Sequence, residues 1–132
     1  MVAQAQAEQV SPSSPSPERS EVLATALGRV AEFWGLSNAR LGAVLGLSAP
    51  TVSRLRRGAS ALDPARKAFE AGQLLLRLFR SLDALLGSDD AAARRWLGTF
   101  NSDLAAKPID AIATMRGLIA VCDYVDFHRA RV

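Results

Sequence analysis

The stretch LGLSAPTVSRLRRG, residues 45–58, decides the fold. A glycine closes an amphipathic run, small polar residues follow, and three arginines crowd the last five positions. Before Gly46, Leu41, Val44 and Leu45 share one helical face, and Ser37 is placed to cap that helix. After it, Ser48 is placed to cap a second helix, which carries Val52 and Leu55 inward and runs out near Gly58. Two short helices about one glycine form the helix-turn-helix pattern. The spacing from Asn38 to Arg57 tests the pattern more finely. Close packing of the pair asks for a small residue where Gly42 stands. The turn asks for a positive φ where Gly46 stands. Apolar residues should lock the two helices at Leu41, Leu45, Leu47, Val52 and Leu55. The sequence meets each requirement.

The outward face follows from the inward one. At about 100° per residue, Val52 and Leu55 turn Pro50, Ser53, Arg54 and Arg57 the opposite way. Ser48 and Ala49 sit at the leading end, and Thr51 completes the candidate reading surface. Small residues there let a helix tip enter a major groove, and arginines further along can reach guanine edges or phosphates. Ser48 and the free amides of the first turn can hold a phosphate. Arg40 and Arg56 lie to the side and suit contacts to the nucleic-acid backbone. From Phe33 to Leu62 these four arginines are the only charged residues. The acids lie elsewhere, notably at Asp89, Asp90, Asp103, Asp110, Asp123 and Asp126. A local basic patch on a chain of net charge +3 points to a polyanion at one face. On charge alone, a solvated surface with chance clustering would look the same; the helix pair is what favours DNA.

The rest of the chain reads as helix. Of the 132 residues, 49% are apolar, enough for a core. Alanine and leucine dominate, β-branched residues are sparse, and no period-two alternation of strand length appears, so an all-α fold is expected. Residues 1–17 read as a disordered tail. The DNA-binding domain spans 18–62, and its first helix runs from Pro17 to Trp34 with Val22, Leu23, Ala26, Leu27, Val30 and Phe33 at helical spacing. A connecting and dimerisation segment, 63–87, holds a long helix from Pro64 to Leu86. Its stripe of Phe69, Leu75, Leu76, Phe79, Leu82, Leu85 and Leu86 is extended sideways by Leu74 and Leu78. So broad a stripe needs two partners, either the flanking domains or a second copy of the chain. Ser88, Asp89 and Asp90 start another helix, through Trp96 and Leu97. FNSDLAAK is a loop. Pro108 opens a short helix with Ile109 and Ile112, and Thr114 caps the last, with Leu118, Ile119, Val121, Cys122, Val125 and Phe127.

Catalysis is not expected. His128 is the sole histidine, and Cys122 falls on an apolar helical face where burial is the ordinary state. No metal-ligand spacing and no glycine-rich phosphate loop is present, and the acids are scattered, so neither metal nor cofactor is expected. No apolar run reaches the roughly 18 residues that span a membrane. The N-terminus does not read as a signal peptide, and one cysteine suits a reduced, cytoplasmic setting.

The stretch WLGTFNSDLAAKPIDAIATMRGLIAV, residues 96–121, carries a resemblance. Its Trp96, Asn101, Leu104, Pro108, Thr114, Gly117 and Val121 resemble the pattern of the Xre/MbcA/ParS-type antitoxins, which join an Xre-like helix-turn-helix to a C-terminal toxin-binding domain. The resemblance covers residues 20–132. Ala105, Ala106 and Lys107 stand where many relatives carry glycine. In physical terms, Trp96 suits a core, Asn101 and Asp103 suit the capping of loop amides, and Gly117 permits close approach to another backbone, within the chain or across an interface. The resemblance implies an antitoxin of a type II toxin–antitoxin pair. It implies a partner with a RES- or ParT-like domain that acts on NAD⁺. Residues 88–132 would bind that toxin, and the terminal DFHRARV would plug its NAD⁺ pocket. The candidate toxin-binding residues are Gly117, Phe127, His128, Arg129, Arg131 and Val132, the last through its carboxylate. The helix-turn-helix would repress the operon as a homodimer, since one short recognition helix reads too few base pairs. Two other readings stay open: a stand-alone dimeric regulator whose C-terminal domain only dimerises, and a toxin inhibitor that has lost DNA binding.

Overall fold

The structure, a computed structural model, describes residues 17–131. The expected tail, apart from Pro17, and the candidate residue Val132 lie outside the described residues. The described chain forms seven helices: α1 Pro17–Trp34, α2 Asn38–Leu45, α3 Ala49–Arg56, α4 Lys67–Leu85, α5 Asp90–Leu97, α6 Pro108–Ala111 and α7 Met115–Ala130. Its only sheet-like feature is an isolated antiparallel bridge between Asn101 and Ala106. The fold is all-α, as the composition predicts.

The opening stretch folds as its spacing requires. Ser37 and Ser48, both extended, cap α2 and α3 by accepting from the amides of Arg40 and Thr51. Gly46 is left-handed at φ 73°. A Cβ on Gly42 would lie 2.3 Å from the Leu47 carbonyl oxygen, so the backbone after the turn lies against α2 at that point. Leu41, Leu45, Val52 and Leu55 are buried between the helices, and Leu47 packs at the edge.

α4 is the axis of the molecule. It packs on α1 and α2 along one side and on α7 along another, so the flanking parts of this same chain supply the two partners its stripe demands. Two expectations are corrected here. The helix begins at Lys67 rather than Pro64, because the Asp63 carboxylate accepts from the Ala65 amide at 2.9 Å and the Asp63 carbonyl accepts from Arg66 at 2.9 Å, closing a turn first. The buried face is also rotated. Leu78 is fully buried with Leu75 and Leu82, while Leu76, Phe79, Leu85 and Leu86 are only partly covered. α7 causes this rotation: its Cys122 thiol donates to the Leu74 carbonyl at 3.4 Å, on the Leu74–Leu78 side of α4. Burial pushes that thiol up to about 11, which leaves it protonated and inert at neutral pH.

Four apolar residues expected inside, Val22, Phe33, Ile119 and Phe127, lie outside. Val22 is 68% exposed, and Phe33 is exposed with its ring stacked on Phe79 at 5.7 Å. The contact line of α1 runs instead through Leu23 and Leu27, where Gly72 of α4 approaches so closely that a Cβ would meet Leu27 at 2.9 Å. Phe127 of α7 is 57% exposed, whereas Leu118, Val121, Cys122 and Val125 are buried. The helix after Gly87 is capped by Asp89, which accepts from the Ala92 amide at 3.0 Å. Ser88 instead takes a left-handed φ of 61° and donates to the Asp83 carboxylate at 2.9 Å.

The two glycines of the helix-turn-helix make separable demands. Gly42→Ala, which drives a methyl into a carbonyl, should destabilise by at least ~2 kcal/mol. Gly46→Ala has open space around its Cβ and should cost only the left-handed penalty, about 1 kcal/mol. Urea denaturation of both variants checks the order; equal losses would contradict the close approach at Gly42.

Candidate nucleic-acid and protein interfaces

At the tip of α3, the Ser48 hydroxyl accepts from the Thr51 amide at 3.3 Å and meets the Thr51 hydroxyl at 2.8 Å. Arg54 donates through Nη2 to Thr51 Oγ1 at 3.1 Å. One polar line therefore runs along the exposed flank from cap to guanidinium. The tip offers fewer free amides than expected. Pro50 has none, the Thr51 amide goes to Ser48 Oγ, and the Val52 amide goes to the Ser48 carbonyl at 3.0 Å. Ala49 keeps the remaining one.

Arg54, Arg56 and Arg57 are all exposed. Arg56 donates to Asn38 Oδ1 at 2.9 Å, and Arg57 Nε donates to the Ser53 carbonyl at 3.4 Å. Each of the three bonds a neutral oxygen, so their positive charge stays unspent. Arg40 does not join them. It pairs with Asp110 of α6 at 2.8 Å and reaches the Ile109 carbonyl at 3.5 Å. α6 thus brings a carboxylate to Arg40, and the half-exposed guanidinium ties α2 to it. A cleft of about 980 Å³ opens between α1 and the loop after α3, lined in part by Thr25, Gly28, Arg29 and Ser60, and it shares Arg56 and Arg57 with this face.

The second half is built around the loop that the family-like pattern marks. Asn101 Oδ1 accepts from the amides of Asp103 at 2.9 Å and Leu104 at 3.1 Å, and the Asn101 and Ala106 backbones pair. Ala105 adopts a left-handed φ of 57°. Glycine would adopt that conformation without the strain that alanine bears there. Asp103 satisfies no loop amide; its carboxylate accepts from the Tyr124 hydroxyl at 3.0 Å. Trp96 is half-buried and stacks on Tyr124 at 6.3 Å, rather than lying in the core.

Thr114 caps α7 by accepting from the Gly117 amide at 3.0 Å. A Cβ on Gly117 would lie 1.8 Å from the Ala111 carbonyl oxygen. The small residue therefore has an internal purpose, seating α7 on the end of α6. Phe127, His128 and Arg131 do come together. The His128 ring lies 4.4 Å from Tyr124 and 5.5 Å from Phe127, and the Arg131 guanidinium sits 5.3 Å over the Phe127 ring. Arg129 turns away from them, toward the Ser81 hydroxyl at 3.4 Å. That hydroxyl donates to Asp126 at 2.7 Å, and Arg77 donates to the other Asp126 oxygen. Burial pushes the Asp126 carboxyl up, but the bonds from Ser81 and Arg77 outweigh it and hold the group below its ordinary value. Sequence reasoning missed this cluster. Its signal was Ser81, a polar residue beside Leu82 on a leucine stripe, where burial demands a partner.

Two family models match the chain. Residues 15–80 match the antitoxin Xre-like helix-turn-helix domain, and residues 81–131 match the antitoxin Xre/MbcA/ParS C-terminal toxin-binding domain. No curated protein matches the sequence. No helix among the described residues is long and apolar enough to cross a membrane.

Because Asp126 titrates lower in the folded chain than its unfolded value of about 3.9, its contribution to stability is complete above that pH and fades as pH falls through the folded value. Acid titration of the wild-type chain against Asp126→Asn, followed by thermal melting, should show the variant already weakened at pH 7, by ~1 kcal/mol for a pair this exposed, and the two curves converging at the acid end.

Proposed function

This chain belongs to the Xre-like antitoxin family, and we propose that it neutralises a RES- or ParT-like toxin by covering its NAD⁺ pocket while repressing its own operon as a dimer. The observation that carries the DNA half is the exposed flank of α3, where Arg54, Arg56 and Arg57 stand with no acidic partner. Ser48, Ala49, Pro50, Thr51 and Ser53 shape a narrow tip that fits a major groove. Arg54 is the residue best placed to read a base, since Thr51 steadies its guanidinium along the helix axis. Arg56 and Arg57 suit phosphates. Arg40, half exposed while tied to α6, flanks them and suits a backbone contact.

For the toxin half, Phe127, His128 and Arg131 form an aromatic and cationic knob on the last turns of α7, and Val132 follows it in sequence. An exposed aromatic ring under a guanidinium has the composition of a protein-binding hot spot. Arg131 is free to leave the Phe127 ring for an acidic or polar group in the toxin pocket. The match of residues 81–131 to a toxin-binding domain supports a paired antitoxin over a stand-alone regulator.

Arg54→Ala should weaken specific operator binding by ~1–3 kcal/mol if the side chain reads a base. Fluorescence anisotropy with operator duplex measures this, and unchanged affinity removes Arg54 from the reading face. Deleting Phe127 to Val132 should abolish protection in cells that co-express the toxin, seen as loss of NAD⁺, while operator binding persists. Survival of toxin inhibition after the deletion would end the plug mechanism.

A further inference from the structure

The α4–α7 cluster leaves a cleft of about 520 Å³ on the surface, lined by Arg77, Arg80, Ser81, Asp126, Arg129 and Ala130. Its floor is fixed. Ser81 is buried, its hydroxyl binds one oxygen of Asp126, and Arg77 binds the other. The carboxylate's hydrogen bonds are thus supplied by Ser81 and Arg77, and the nearby Arg129 charge also favours its ionised form. Arg129 leans over Ser81 at 3.4 Å, a long contact with a neutral group. Arg80 makes no ion pair or side-chain hydrogen bond among the described residues. Three guanidiniums therefore line the cleft against one lining carboxylate, with Asp123 also acting on Arg77, so the cleft keeps a net positive charge.

The cleft and the partner knob share the last turns of α7. Arg129 and Ala130 lie on the same last turns of α7 that carry Phe127. Ile119, 44% exposed, continues the outer apolar edge of that helix two turns back. Arginines beside exposed apolar anchors are the usual composition of the energetic centre of a protein interface. A planar guanidinium matches a carboxylate with two parallel hydrogen bonds. A polyanion fits poorly, since Asp123 and Asp126 would repel its successive charges, whereas a single carboxylate needs only the two cations Arg80 and Arg129.

Resting on the antitoxin reading above, we infer that this cleft receives an acidic side chain of the toxin, so that the toxin interface extends from α7 onto α4. Arg80 and Arg129 clamp the incoming carboxylate, and Arg77 with Ser81 and Asp126 holds the clamp in place. On this account, the helix that connects the two halves also touches the partner.

The test measures affinity of the full chain for its cognate toxin by biolayer interferometry. Arg80→Glu should weaken the complex at least tenfold and Arg80→Ala by a smaller factor, with melting temperature and operator affinity unchanged in both. Lys67→Glu, an exposed charge change at the opposite end of α4 and outside residues 88–132, should leave toxin affinity unaltered. If the wild-type chain binds the toxin and Arg80→Glu binds it equally well, the cleft has no such role and the antitoxin reading stands. If Lys67→Glu loses as much as Arg80→Glu, a general charge effect replaces the clamp. If the wild-type chain does not bind the toxin at all, the antitoxin reading falls, and the clamp with it.

Discussion

The double-sided burial of α4 governs this molecule. Leu75, Leu78 and Leu82 have no accessible surface, and each contributes roughly 1.5–3 kcal/mol through burial. A helix with apolar residues over so wide an arc cannot be satisfied by one neighbour. The helix-turn-helix covers one part of it and α7 covers another, so neither half has a core that is wholly its own. The single contiguous cluster of buried residues runs from Leu23 in α1 to Val125 in α7.

Arginines then fix how the halves meet. Arg40 joins α2 to Asp110 of α6. Arg94 of α5 donates to the Phe33 carbonyl at 2.7 Å, supplying a cation where the C-terminal end of α1 presents unpaired carbonyls. Exposed ion pairs of this kind add little stability; their value is directional, because the leucine interface alone is tolerant of small slides and rotations. The remaining arginines divide by what they bond. Those on α3 rest on neutral oxygens and keep their charge for a partner, while Arg77 is spent on Asp126.

The helix-turn-helix was legible because its requirements are local. Gly42, Gly46, the two serine caps and the locking leucines all act within twenty consecutive positions, and periodicity reads such geometry well. The C-terminal motif was legible residue by residue in the same way: Asn101 turns the loop, Thr114 caps α7, and Pro108 opens α6. What stayed hidden depends on contacts between segments far apart in sequence. Nothing near Arg40 announces Asp110, seventy positions away. The rotation of the α4 face toward Leu78 required knowing on which side α7 lies. The apolar spacing of α1 does not distinguish Leu23 from Val22 until Gly72 sets the line of contact. What the small residue at Gly117 packs against depended on the position of the Ala111 carbonyl.

The two matched family segments meet at residue 80, inside α4. A chain severed at that joint would leave Leu75 and Leu78 bare on one fragment and Leu82 on the other, so evolution cannot shuffle these modules as freely as their separate family descriptions suggest. Grafting either segment onto another chain therefore means carrying the whole of α4 with it or redesigning those leucines to suit a new neighbour.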